Sequence, residues 1–295
     1  MNILPMTLAF LAIFSCITVT FFEEIKSFSL FETAIYGYNR TERALHNTVV
    51  RKAYRKATAK PAGQKKSEEK KQEKKDYHSM RSLFPPLENS KFNLSLLIQH
   101  EGEVKLHPLY EPLAELLRIL YEKNLFSKVK EEEKLEYRLI DELLKKAKKQ
   151  PEAKHLAELF PQDPGLKAIY YKMIKGTNRY DRKAGLPPLG HFLSLDKAEK
   201  AAALSFASPE VLEAFFDPEI ATEILALEKK KWEESSVYYY FSKEDFQNIL
   251  MKFPAKTSLL SSFDSYLDDS KKIPPREGIG GRDSITGISI EMKLK

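Results

Sequence analysis

Charge is missing from the start of this chain, and cysteine from almost all of it. No Asp, Glu, Lys or Arg precedes Glu23, so the opening segment lacks the polar face that a surface helix of a water-soluble domain needs. The single cysteine, Cys16, lies inside that segment. Neither a disulfide within the chain nor a cysteine-based zinc site can therefore form. Catalytic motifs are also lacking. The histidines His46, His78, His100, His107, His155 and His191 contain no His-Glu-x-x-His pair, and no Gly-x-Ser-x-Gly elbow occurs. Gly278-Ile279-Gly280-Gly281 is followed by no Gly-Lys-Ser/Thr and reads as a loop before the last strand. With 31% of residues charged, no two carboxylates single themselves out as an acid and base. The sequence points to no enzyme, cofactor, metal or small-molecule substrate.

What is present begins with Met1 to Phe22, an apolar run containing Leu4, Leu8, Phe10, Leu11, Ile13, Phe14, Ile17, Val19, Phe21 and Phe22. As a helix it would measure roughly 33 Å, enough to cross a hydrocarbon core of about 30 Å. We read residues 1–22 as a transmembrane helix, with Leu8, Leu11, Phe14, Ile17 and Phe21 as its lipid-anchoring side chains. A cleaved secretory signal would carry a basic n-region, and none is present. Ile13-Phe14-Ser15-Cys16 is similar to a lipoprotein cleavage site, but the apolar run continues six residues past Cys16.

Residues 23–59 continue the helix as an amphipathic stalk. Phe28, Phe31, Ile35, Tyr38, Leu45 and Val49 fall mostly three or four apart, the spacing of one helix face. We expect this face to pack on the body or on partner helices, with Gly37 as its one interruption. The helix should run from Leu4 to about Lys60 and end at Pro61 and Gly63. Residues 60–80 form a charged, low-complexity linker that cannot bury enough surface to order itself. Between Arg51 and Lys75 lie eleven Lys and Arg against three Glu, a net of +8, which leaves the rest of the chain at −2. The overall +6 is thus local, and a nucleic-acid-binding body is not indicated. Lys65, Lys66, Lys70 and Lys71 are the candidate contacts to anionic lipid.

Residues 81–295 form the globular part. Phe92–Gln99 and Val104–Leu106, around the turn-like His100-Glu101-Gly102, predict a β pair within 91–107. Leu109, Leu113, Leu116, Leu117 and Leu120, then Leu135, Leu139, Leu143 and Leu144, repeat at helical spacing. Ser194, Ser208, Asp217 and Ser242 read as helix N-caps, with Pro209 and Pro218 in the first turn. Phe215-Phe216-Asp217-Pro218-Glu219-Ile220 predicts a helical hairpin, whose acidic turn disfavours phosphate. Tyr238-Tyr239-Tyr240-Phe241 reads as core or interface packing. Residues 284–294 alternate and predict a strand. The fold class expected is α+β, mostly α: a small antiparallel sheet formed by the two ends of the body, with residues 108–270 as a helical insertion.

This layout resembles the large K-type minor pseudopilin of type II secretion systems, a type IV pilin-like family. Met6-Thr7-Leu8 is similar to the start of a mature pilin helix, which typically reads Phe/Met-Thr-Leu. Pro5 stands where the prepilin cleavage glycine would be, Phe10 stands at the fifth mature position, and no basic leader precedes them. The resemblance implies an assembly subunit that catalyses nothing, contacts lipid and sister pilin-like helices, and holds its body in the periplasm. The alternative is a single-pass inner-membrane scaffold with a cytoplasmic body, recruiting proteins or anionic lipid through the basic linker. Only Lys26 and Arg40 flank the span closely, so the positive-inside rule barely chooses between them.

Overall fold

The computed structural model describes residues 3–58, 81, 90–129, 134–177, 185–197, 200–235, 239–254, 266–268, 278–282 and 289–293. Helix α1 runs unbroken from Ile3 to Thr58, as the sequence pattern predicts; Pro61 and Gly63, the expected stop, lie outside the described residues. Threonines along it, including Thr18, Thr20 and Thr41, donate their hydroxyls to the carbonyl four residues back. Their polar atoms are thereby satisfied inside the helix itself.

The body is mostly helical. α2 (Ser95–Gln99) precedes α3 (Tyr110–Tyr121) and α4 (Leu135–Lys149), which pack on one another through the leucines expected from their spacing. Leu113, Leu116, Leu117, Leu139, Leu143 and Leu144 are all buried. Arg118 ties the pair at its edge, donating to Glu136 at 3.0 Å and to the Tyr137 hydroxyl at 2.6 Å. α5 (Pro164–Lys175) starts at Asp163, whose carboxylate accepts the Leu166 N–H at 2.9 Å. α6 (Pro209–Phe216) and α7 (Pro218–Ser235) form the expected hairpin, and α8 (Lys243–Leu250) packs against α7.

The hairpin turns on one residue. Asp217 adopts a φ of 74° with a ψ of 170°, a positive-φ extended conformation that non-glycine residues rarely hold and that breaks the chain out of α6. Its carboxylate then accepts the Glu219 N–H at 3.1 Å, so it also opens α7. The turn leaves Phe215 and Phe216 inside. Phe215 stacks on Phe92 at 5.3 Å, and Phe216 meets Phe246 at 4.4 Å. Ser208 and Ser242 cap α6 and α8 as expected, Ser242 through a full capping box with Asp245. The aromatic run following α7 is packing material. Phe241 is buried, Tyr239 bonds Asp245 at 2.7 Å, and Tyr240 lies edge-on to Phe206.

Strand content departs from expectation. β1 is only Phe92–Asn93. The Asn93 side-chain Oδ1 accepts the Ser95 N–H at 2.7 Å, turning the chain into α2 instead of extending the strand. Leu94 and Leu97 are buried while Gln99 is exposed, a helical and not an alternating pattern. Val104–Leu106 is a 3₁₀ turn. β1 pairs in parallel with β2 (Leu193–Ser194), and β3 (Ala202–Ala203) pairs in parallel with β4 (Leu267–Asp268). Ser194 therefore sits in a strand and caps no helix. These two-residue strands stitch connections between helices, and their bonds continue beyond the pairs: the Asn93 N–H donates to the Ala201 carbonyl at 2.7 Å.

The final strand appears where alternation placed it, as β6 (Ser289–Lys293), but its partner is β5 (Gly278–Arg282) in an antiparallel hairpin. β1 does not join it, so the expected sheet closing over a helical insertion is not formed. Gly278-Ile279-Gly280-Gly281 belongs to β5 and is not a loop. Three glycines leave no side-chain period to read, whereas β6 supplies the backbone partners. Both strands lie along α1.

One ion pair is fully enclosed. The Arg81 guanidinium donates to Glu228 on α7 at 2.7 Å and to the carbonyls of Leu204 and Ala207 at 2.8 and 2.9 Å. The two side chains are 1% and 6% exposed. Removing one partner strands a buried charge, a cost of about 3–5 kcal/mol. Glu228→Ala should therefore lower unfolding stability by that amount in denaturant titrations of the full chain in micelles. Lys230→Ala, on the exposed side of α7, should stay within about 0.5 kcal/mol of the parent.

Candidate membrane anchor and its junction with the body

The apolar pattern of the first residues allows only one environment apart from a protein core, and α1 gives it none of the latter. The segment Met6–Thr48 contains an 18-residue window of mean hydropathy 1.9, and that window is 0% buried. By length and composition this one helix can span a membrane. Leu8, Leu11, Phe14, Ile17 and Phe21 are 59–70% exposed, and Ala9, Ala12 and Cys16 on the other side of the helix are exposed as well. In water, so much uncovered apolar surface on one helix would be strongly unfavourable.

Burial begins only in the C-terminal half. Ala34, Gly37, Thr41 and Leu45 are buried, and Phe31, Ile35 and Tyr38 are half-buried. This face lies on the 3₁₀ turn Leu156–Glu158, on α5 and on the β5–β6 hairpin. Of the side chains predicted to pack, Phe28 is 66% exposed and does not reach the body. The Val49 side chain, and Lys65, Lys66, Lys70 and Lys71, lie outside the described residues. The centre of the interface is made of small residues that an apolar count overlooks. Gly37, read as an interruption, is where α1 can approach its neighbours most closely. Thr41 adds a hydroxyl already satisfied by the Gly37 carbonyl at 2.8 Å.

Aromatic contacts fix the register of this junction. Phe31 meets Phe160 edge-on at 5.7 Å, and Phe160 meets Tyr170 edge-on at 5.2 Å. The Tyr170 hydroxyl donates to the Leu156 carbonyl at 2.6 Å, bracing the 3₁₀ turn. Two turns along α1, Tyr38 hydrogen-bonds His155 Nε2, the ring centroids being 4.1 Å apart. Burial lowers the His155 pKa from its ordinary value, opposed by Glu158 and Glu42, aided by Lys154 and opposed again by Asp196. The sequence listed His155 only among isolated histidines; nothing in its neighbourhood signals a partner 117 residues away.

Other clusters carry no evident chemistry. His100 and His107 stack edge-on at 4.9 Å, and His107 Nδ1 accepts the Leu109 N–H at 3.2 Å. That bond places the ring proton on Nε2, which a metal would have to displace. No group of three or more His, Cys, Asp or Glu among the described residues could hold a metal ion. No family model, no curated protein and no solved structure matches the chain.

Two outcomes check the junction. Gly37→Leu should overpack it and cost about 1–3 kcal/mol in thermal or denaturant unfolding, whereas Tyr36→Leu, on the exposed side, should be near neutral. For His155 the folded-state pKa is depressed, so the unfolded chain binds more protons just below the ordinary value of 6.5. Stability is then constant above that value and falls as pH drops through it. His155→Gln, which does not titrate, should flatten that part of the pH–Tm profile.

Proposed function

We propose that this chain is a non-catalytic, single-pass membrane protein that serves as a pseudopilin-like assembly subunit of a bacterial secretion or pilus apparatus. The observation that carries the reading is the division of α1. Its N-terminal half is bare on all sides, and its C-terminal half lies on a folded body with an antiparallel hairpin along it. That is the arrangement the pilin resemblance implies: one continuous helix, half in lipid or among sister helices, half serving as the spine of a domain. In such a subunit the helix supplies assembly contacts and the body supplies recognition at the exposed end. Partners are then lipid and other membrane-embedded helices, and the body faces the periplasm.

A lipid-recruiting cytoplasmic scaffold is less well supported by the geometry. Arg51, where the basic block opens, lies roughly 43 Å along α1 from Phe22. That is several screening lengths of about 8–10 Å, so its own bilayer would exert little pull on the helical part of the block.

Reporter fusions after Lys295 distinguish the two sides. An alkaline phosphatase fusion should be active and a green-fluorescent-protein fusion dark in a bacterium with an inner and an outer membrane. The reverse pattern would place the body in the cytoplasm and end the pseudopilin reading.

A further inference from the structure

Apolar side chains do not end at the same level around α1. At about 100° per residue, Phe10, Phe14, Ile17, Phe21, Ile25 and Phe28 follow one another on a single narrow stripe. They are 50–70% exposed. The stripe passes Phe22 without a break and meets its first charge at Glu32. Across the helix the border is lower. Glu23 and Lys26 are exposed and lie on or beside the arc that later carries Ala34, Gly37, Thr41 and Leu45, residues that seat the body; Glu24 lies on the flank of the stripe, one turn before Phe28.

Glu23 and Glu32 lie on opposite sides and nine residues apart, an axial offset of about 13 Å on a helix whose diameter is roughly 10–12 Å. A helix standing upright in a flat bilayer cannot satisfy such a border. It would immerse Glu23 or expose Ile25 and Phe28. Tilting resolves both, because the long apolar side is brought down onto the membrane and the charged side is lifted clear. Transmembrane helices tilt by roughly 20° on average and up to about 40°. Bringing Phe28 level with Glu23, five residues or about 7.5 Å along the axis, takes roughly 35° across that diameter, the steep end of that range.

The direction of the tilt agrees with an independent feature. The body docks on the arc that carries the early charges, which is the upper side of the leaning helix. Had it docked on the Phe28 side, it would collide with the bilayer. Phe28, which touches nothing in the body, thereby acquires a surface to meet.

Resting on the membrane reading proposed above, we infer that the Phe21–Ile25–Phe28 stripe is a lipid-docking surface. α1 leaves the bilayer strongly tilted, with this stripe lying in the headgroup and upper acyl region and the body held on the side facing away. Aromatic rings suit this zone, where an apolar body is adjacent to polar headgroups.

Depth-resolved quenching tests this in the full chain. In a Cys16→Ser background, single cysteines replacing Phe14, Ile25, Lys26 or Phe28 would carry an environment-sensitive fluorophore. The proteins would be reconstituted in phosphatidylcholine vesicles. Nitroxide-labelled lipid should quench the probes at 14, 25 and 28 several-fold more than that at 26, and aqueous iodide should show the reverse order. If 25 and 28 are as open to iodide as 26 while 14 stays shielded, the tilt is refuted and the anchor stands. If 14 is equally open to iodide, the membrane reading itself fails, and this inference with it. If Phe28→Cys instead oxidises to a disulfide-linked dimer and resists both quenchers, a second copy covers the stripe and lipid docking is overturned.

Discussion

A backbone in hydrocarbon must satisfy its own hydrogen bonds, and a continuous helix is the simplest way to do so. α1 extends that solution well beyond the segment that is long and apolar enough to span a membrane. The same run of internally bonded turns that can sit in lipid continues as the element on which the body assembles. No hinge residue is needed at the exit, since Glu23 and Glu24 are good helix formers. The body's position relative to the anchor is thereby set by helix geometry and not by a flexible connection. Arg81, buried beside Glu228, ties its own stretch of chain to α7.

The junction with the body is built for closeness and not for maximal apolar area. Ala34, Gly37 and Thr41 let α1 approach the 3₁₀ turn and α5, and the edge-on ring contacts from Phe31 to Phe160 and from Phe160 to Tyr170 fix its rotation. Tyr38 and His155 add a polar contact whose burial disfavours the imidazolium. A rotation of α1 by one residue would replace this seat with charged positions such as Glu42 or Arg43. Rotation and axial level are therefore determined together. The orientation of the apolar stripe on the opposite side follows from the same packing.

Helical parts of this architecture were legible in the sequence because their causes are local. Leucine spacing gave α3 and α4, the Ser208 and Ser242 caps gave the starts of α6 and α8, and uninterrupted hydropathy gave α1. Strand pairing was not legible, because it depends on distant partners. Nothing near Phe92 indicates that Leu193 will lie beside it. Nothing in Gly278-Ile279-Gly280-Gly281 shows that Ser289–Lys293 will supply its hydrogen bonds. The apolar helix that can span a membrane by length and composition was read directly. The packing face was only half read: Leu45, Tyr38, Ile35 and Phe31 follow the apolar stripe, but Ala34, Gly37 and Thr41 contribute through small size, which hydropathy does not register. Phe28 belongs by period to the stripe on the other side.

The central claim is that lipid solvates the first part of α1 while the remainder of that same helix holds the body. Alkaline carbonate extraction of vesicles carrying the full chain tests it most directly, followed by immunodetection of the C-terminal region. The account predicts that intact polypeptide, with its N-terminal residues uncleaved, stays in the pellet after washing and is released only by detergent. Recovery of the intact chain in the soluble fraction, or a mature protein beginning after Phe22, would contradict it.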